Sequence, residues 1–328
     1  MQTIIDHARP VALCAALAMS AAAAHAADPA VNYPTKPVRF IIANTTGTSV
    51  DTLARVLSVK MGEMLGQQMV ADNRGGAGGI IGAEIAANSA PDGYTLLISS
   101  TGMQVISPQL YKKLSYDPIK SFAPISMFAV TQNVLVTHPS VPANNVKELI
   151  AYAKANPGKL NMSNAGTGFQ SHLAGVMFTH MTGIDVRHVP YKGGASLIAV
   201  MGNESQLTIA PGPSLMGHVR SGRLRALGTG GEKRSPLTPD IPAISETVPG
   251  YVSTGWSGLM APRGTPRAII DKLHATLAKV LNDPVSREAL ERQGGEPWMT
   301  TPAEMVKFIE AEHERFRQAI KIANVQPQ

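Results

Sequence analysis

The chain has 328 residues, 29 Lys and Arg against 23 Asp and Glu for a formal net charge of +6, and is 44% hydrophobic but only 5% aromatic. Its basic residues are scattered, without the dense runs and interleaved aromatics of nucleic-acid grooves, so nucleic acid is excluded as a partner and the charge reads as solubility plus a mild attraction for anions. A lone cysteine, Cys14, leaves little room for disulfide or thiolate chemistry.

Residues 1–26 read as a secretory leader: a short polar start with Arg9, an apolar stretch from Val11 to Ala24, and small residues at Ala24-His25-Ala26, with cleavage after Ala26. The stretch is shorter than the roughly 18 residues that mark a spanning helix. Cleavage ahead of Cys14 as a lipoprotein is rejected, because Leu13 stands where a small residue is needed. Removing the leader removes the one cysteine, so disulfides, thiolate metal sites and cysteine nucleophiles are all excluded from the mature chain. What remains is enough for one large domain or two ordinary ones.

After the leader, PVRFIIA (37–43) reads as a buried strand and SVDTLARVLSVKMGEMLG as a helix, with Val50, Leu53, Leu57, Met61 and Met64 on one face and Gly66 closing it. QQMVAD is the next strand. Then comes NRGGAGGIIGAE, which resembles a dinucleotide-binding turn: Gly76 and Gly78 fit G-x-G-x-x-G, but the third position falls on Ile81 and Gly82 is one residue late. NAD-type cofactors are held in the cytoplasm, so an exported chain with this mismatch is expected to use no cofactor, and Gly75, Gly76, Gly78 and Gly79 to shape a tight turn with positive φ. A helix from about Gly79 to Asn88 and the strand YTLLISS (94–100) follow.

The pattern restarts after FAPISMFAV. NVLVTHP (133–139), LNMSNA, DVRHVPY, QLTIAPG and RLRALGTG read as strands. The intervening helices are NVKELIAYAKA, GTGFQSHLAGVMFTHMTG, GASLIAVMG and one within PSLMGHVRSG. The tail has one strand, GWSGLMAP (255–262), then three helical segments, PRAIIDKLHATLAKVLN, DPVSREALERQG and TPAEMVKFIEAEHERFRQAIKIAN. Alternating strands and helices predict largely parallel sheets flanked by helices. A tail too poor in strand for a third sheet packs back on the first unit, so the chain crosses twice between two α/β lobes. The expected fold is therefore α/β, a two-lobe periplasmic-binding-protein or Venus-flytrap clamshell, with residues 27–130 plus 251–328 as one lobe and 131–250 as the other.

Several blocks carry a resemblance: YPTKPVRFII, ADNRGGAGGIIGAEIAANSAPDGYTLL, YDPIKSFAPIS, NVLVTHPSVPANNVKELIAYAKANPGKLN, HVPYKGG, GRLRALGTGGEKRSPLTPDIPAISE and GWSGLMAPRGTP. In order and spacing, over nearly all of the mature chain, they resemble the extracytoplasmic solute receptors of tripartite tricarboxylate transporters, the Bug-type receptors. The resemblance implies a periplasmic, monomeric, non-enzymatic receptor. It would enclose a di-, tri- or aromatic carboxylate between its lobes and deliver it to membrane permease subunits. A clamshell that docks on a signalling protein would bind by the same chemistry, so permease and sensor both stand at this stage.

Ligands of parallel sheets gather beyond the carboxyl ends of strands, where helix N-termini present unpaired N–H groups. Each charge-assisted hydrogen bond contributes on the order of 1.5–3 kcal/mol, so four or five support the roughly −8 kcal/mol of micromolar binding. Four turns qualify: Asn44, Thr45, Thr46, Gly47, Thr48 and Ser49; Thr101 and Gly102; Thr167, Gly168, Phe169, Gln170 and His172; and Pro211 and Gly212. In the resembled family the first turn reads P-F-x-P-G-G-x-x-D. Gly47 and Asp51 are kept here, while Ala43, Thr46 and Thr48 replace the prolines and second glycine and Thr45 takes the variable position, adding hydroxyls that point to an altered ligand or to side-chain bonding. Ala210 and Pro211 stand where relatives often carry Asp and Asn, which points to a larger or more apolar acid, aromatic acids included. Asp51 is expected to cap its helix or tie the loop, since a bare carboxylate repels an anion. His172 reads equally as a packing residue and as a ligand contact.

The rival class is an exported hydrolase. Gly212-Pro213-Ser214-Leu215-Met216-Gly217 is one residue too long for the G-x-S-x-G elbow, and no H-E-x-x-H or other metal-ligand spacing occurs. No catalytic residue and no metal are expected.

Overall fold

The computed structural model describes residues 30–192 and 194–327; the leader and Cys14 lie outside the described residues. The elements run β1 (Val38–Ile42), α1 (Ser49–Leu65), β2 (Met69–Asn73), α2 (Ile80–Ala87) and β3 (Thr95–Ser100). A π-wound turn, Gly102–Ile106, then leads into α3 (Ser107–Leu110) and the long β4 (Phe122–Thr137). The middle of the chain forms α4 (Val146–Ala155), β5 (Asn161–Asn164), α5 (Gln170–Thr182), β6 (Arg187–Pro190), α6 (Ala195–Met201), β7 (Leu207–Pro211), α7 (Gly212–Arg220) and β8 (Arg225–Thr229). The rest is β9 (Thr254–Pro262), α8 (Arg267–Asn282), α9 (Pro284–Arg292), β10 (Glu296–Pro297) and α10 (Pro302–Ile322).

Helix ends follow their local chemistry. Thr48 accepts the Asp51 amide at the start of α1, and Gly66 ends that helix at φ 70° with its N–H on the Gly62 carbonyl. Thr301 and Glu304 form a reciprocal capping box before Pro302 at the start of α10. On α1 the buried face is Leu53, Ala54, Leu57, Ser58 and Met61. Met64, read from periodicity as part of that face, is 43% exposed, and its neighbour Leu65 packs against the core in its place.

The strands run β2-β1-β3-β9-β4-β7-β5-β6, with β8 and β10 added against β4. Parallel pairing is found where it was expected, in β2-β1-β3 and β6-β5-β7. The centre is antiparallel: β9 lies between β3 and β4, and β4 pairs with β7 and β8. The sheets are thus mixed, because β4 and β9 run between the two halves in opposite directions. The first half of β4 joins the sheet of β1, β2, β3, β9 and β10, and its second half joins β5 to β8.

Period-two alternation sorts the first sheet's side chains to two faces. Phe40, Ile42, Leu96 and Ile98 meet Leu53, Leu57, Leu273 and Leu277, while Ile41 and Leu97 meet Met305, Ile309 and Phe316 of α10. Leu173 of α5 also belongs to this second cluster, so the two halves share apolar packing on that side. The second sheet buries Leu135, Met162, Phe178, Leu207 and Ile209 on one face and Val134, Val136, Val200 and Leu215 on the other.

At the crossing, Asn133 and Ser253 are bonded twice: the Asn133 amide donates to the Ser253 carbonyl at 3.2 Å and Asn133 Nδ2 to Ser253 Oγ at 2.7 Å. Gly230 closes the junction, donating to the Asn133 carbonyl and accepting from the Ser253 amide, both at 2.7 Å. α10 anchors the returning strand: Arg315 Nη1 donates to the Val252 carbonyl at 3.0 Å. Trp256 Nε1 donates to Glu312 at 3.2 Å, and that carboxylate is held by Arg315 at 2.6 and 2.8 Å.

Candidate functional site

The first turn is braced from beneath. Asp51 Oδ2 accepts the Gly47 amide at 2.8 Å, and its Oδ1 accepts Asn73 Nδ2 at 2.9 Å and Arg55 Nε at 3.0 Å. Asn73 Nδ2 also reaches the Asn44 carbonyl at 3.2 Å. Burial pushes the Asp51 carboxyl up, but the Gly47 amide, Asn73 and Arg55 together outweigh it and hold the group below the ordinary carboxylate range. Asp51 therefore ties the loop. The Thr48 hydroxyl is committed as well, accepting from the Asp51 amide at 3.3 Å and donating to the Thr45 carbonyl at 3.0 Å. It caps α1 and is not the free side-chain donor that the sequence reading allowed for.

The glycine loop supports the same turn. A Cβ at Gly75 would lie 3.1 Å from the backbone of Asn44 and Thr45, and one at Gly79 would lie 2.8 Å from the Ala43 carbonyl. Gly76, Gly78 and Gly79 adopt φ of 116°, 65° and 97°, where a side chain is strained. These glycines let residues 75–79 lie flat against Ala43–Thr45.

The other three turns differ from the first in one respect. The helical segments that follow Thr101, Phe169 and Pro211 carry no side-chain cap, so their first N–H groups have no acceptor in the helix. In α7 Pro213 removes one of these donors. In the turn before α5 the loop amides are mostly consumed. Ala165 donates to Ser171 Oγ at 3.0 Å, Gly166 to Asn164 Oδ1 at 3.0 Å, Gly168 to His172 Nδ1 at 3.2 Å and Phe169 to the Gly166 carbonyl at 3.1 Å.

The crossing strands bring these turns together. Thr101 Oγ1 accepts the Trp256 amide at 3.0 Å, and Gln170 Nε2 donates to the Thr254 carbonyl at 2.8 Å. Thr254 stands opposite Gln132 in the β4-β9 register, and the neighbouring Asn133 stands opposite Pro211. Asn44 joins through Nδ2, 3.4 Å from Ser100 Oγ. Asn44, Thr101, Gly102, Gln170, Pro211 and Gly212 thus border one junction. Thr45, Thr46 and Gly47 form the exposed tip of the first turn, with Ser49 half-buried at the helix start. Thr167 is exposed, and Phe169 is 57% exposed. Gly168 is buried, and a Cβ there would lie 2.7 Å from Leu110 of the other half.

Sequence reasoning passed over Asn133, Asn164, Thr254 and Trp256. Asn164 ends β5 at the root of its turn and is 1% exposed, and its Nδ2 is a buried donor without a protein acceptor. The polar Thr131-Gln132-Asn133, set between two apolar runs, was the available signal for the crossing. Two surface hollows, about 350 Å³ beside Gly62, Gly66 and Met69 and about 400 Å³ beside Tyr33, Tyr94 and Ile269, are lined by none of the residues of the four turns. Among the described residues no group of three or more His, Cys, Asp or Glu could hold a metal ion, and no helix is long and apolar enough to cross a membrane.

Residues 53–325 match the model of the tripartite tricarboxylate transporter family receptor. The protein BugT of Bordetella pertussis is 35% identical over 292 residues, 88% of this chain and 90% of BugT. Among solved structures, Rpa4515 of R. palustris, determined with adipate, is 34% identical with a TM-score of 0.81, covering 90% of this chain and all of its own. MatC of Rhodopseudomonas palustris, with bound malate, is 28% identical with a TM-score of 0.74, covering 88% of this chain and all of its own.

Proposed function

Because the chain belongs to the tripartite tricarboxylate transporter receptor family, we propose that it captures a small organic carboxylate at the junction of its two halves and hands it to the permease subunits of such a transporter. The observation that carries this reading is that two uncapped helical starts, after Thr101 and Phe169, are bonded to Trp256 and Thr254, with a third, after Pro211, brought alongside through the register of β4. Oriented amides attract a carboxylate through their partial positive charge and their unpaired N–H groups. They do so without a charged side chain whose desolvation the ligand would have to offset.

The ligand is a di-, tri- or aromatic carboxylate. Adipate in Rpa4515 and malate in MatC support the class. Ala210 and Pro211 at the end of β7, and the exposed Phe169, favour the larger and more apolar members. Binding begins on one half, and closure brings the other half's helix ends onto the acid, shifting an open and closed population. The lobes are residues 27–130 with 251–328, and 131–250; the division of strands between the two sheets supports these limits. Export through the leader, cut after Ala26, brings the protein to the periplasm, where it acts as a monomer and without enzymatic activity.

The test is a thermal-shift and calorimetric panel on residues 27–328 with adipate, malate, citrate and benzoate. A member of the panel is expected to bind with Kd of about 1 µM, near −8 kcal/mol, and to raise Tm with concentration. Silence from the whole panel, or turnover of any added ester or amide, would count against the reading.

A further inference from the structure

This inference rests on the carboxylate site proposed above and concerns how its second-half turn is held. The turn before α5 has two glycines in the left-handed region, Gly166 at φ 135° and Gly168 at φ 82°, so its backbone has many alternatives to the observed path. What selects that path is a set of acceptors. Asn164 takes the Gly166 amide, Ser171 the Ala165 amide, and His172 Nδ1 the Gly168 amide at 3.2 Å. With these turned inward, the donors left for an anion are the Thr167 amide and the first amides of α5, Gln170, Ser171 and His172.

The His172 ring can accept only through a bare Nδ1, so it must be neutral with its proton on Nε2. Its surroundings enforce this form. The ring packs edge-on against His188 of β6, centroids 5.8 Å apart. Burial lowers the proton affinity of both rings. His188 is seated in turn by Thr179 Oγ1, 3.3 Å from its Nε2, and by Gly175, where a Cβ would lie 3.2 Å from the ring. A chain of contacts thus runs from β6 through two histidines to one loop amide.

We propose that His172 is a positioning residue of the carboxylate site: its Nδ1 anchors the Gly168 amide, and this aims the Thr167 amide and the start of α5 at the ligand. It does so without touching the ligand itself. The ligand-contact role open at the sequence level is replaced by one that acts through the loop.

The test compares His172→Asn, which sets an acceptor oxygen close to where Nδ1 lies, with His172→Gln and His172→Leu, which do not. Two quantities are read in each: solvent exchange of the Gly168 amide by NMR without ligand, and affinity for adipate. The Gln and Leu variants are expected to speed Gly168 exchange at least tenfold and weaken adipate about tenfold, and the Asn variant to restore both within about threefold. Unchanged Gly168 exchange in both Gln and Leu would overturn the proposal. So would loss of adipate binding in the Asn variant with Gly168 still protected, since that marks direct ligand contact. If adipate fails to bind the wild-type protein, the site reading falls, and the exchange data alone decide whether His172 anchors the loop. If the Leu variant does not fold, the Gln variant carries the comparison.

Discussion

Gln170 Nε2 lies 2.8 Å from the Thr254 carbonyl, so the first residue of α5 is fastened to the strand that returns to the other half. The bond joins the two sides of the junction at the point where the turns meet. Removing it with Gln170→Ala is expected to cost stability by about 1 kcal/mol, the usual net worth of one hydrogen bond. The variant should also weaken carboxylate binding several-fold, because the start of α5 loses its register against β9. Urea unfolding and calorimetry on the same variant read the two effects separately.

Thr48 was a candidate for ligand contact and Asp51 was expected to cap its helix or tie the loop, and the structure commits both to holding the first turn. Asp51→Ala leaves the Gly47 amide and Arg55 without their acceptor, and a loss of about 3 kcal/mol in urea unfolding is expected. The Asp51 carboxyl is held below its ordinary range. Its contribution is therefore present above the unfolded-state value and is lost as pH falls through the folded-state value.

Thr48→Val and Thr167→Val separate capping from binding. Thr48 caps α1, so its replacement is expected to cost about 1 kcal/mol of stability with a small effect on affinity. Thr167 is exposed beside the second turn, and its replacement should leave Tm within about 1 °C while weakening binding. Thermal melts and calorimetry of the pair make the contrast; equal affinity in Thr167→Val and wild type would remove that hydroxyl from the site.

His188 gives a pH signature. Burial, with His172 alongside, lowers its proton affinity from 6.5 to about 4. Between these values the unfolded chain binds more protons than the folded one, so stability rises with pH there. The contribution is complete above about pH 6.5, is lost as pH falls toward 4, and levels off below that. Denaturant midpoints of His188→Phe are expected to show a shallower slope than wild type across this window, and identical slopes would contradict the assignment.

Much of this was legible in the sequence. A glycine stop marked the end of α1 at Gly66, and apolar runs marked β1, β3 and β7, because these signals act locally. The double crossing was inferred from a tail too poor in strand to stand alone. The antiparallel centre was not legible. NVLVTHP (133–139) read as a strand of its own and FAPISMFAV before it was assigned to no strand, whereas β4 runs through both and through the polar Thr131-Gln132 between them, changing sheets there. Asn133 is buried at the junction by a partner 120 residues away, Ser253, and no local pattern encodes such a pairing. The double commitment of the Thr48 hydroxyl was hidden for a related reason. A threonine before a helix reads as a cap and as a ligand donor alike until its partners, Thr45 and Asp51, are seen.

The central claim is that backbone amides at the uncapped helical starts receive the carboxylate. It is tested most directly by following backbone amide resonances of the leaderless protein through titration with the tightest acid of the panel. The account predicts the largest shifts at Gly102, Gln170 and Gly212, saturating together at the calorimetric Kd. Saturable binding that leaves these three unmoved and shifts amides elsewhere would contradict it.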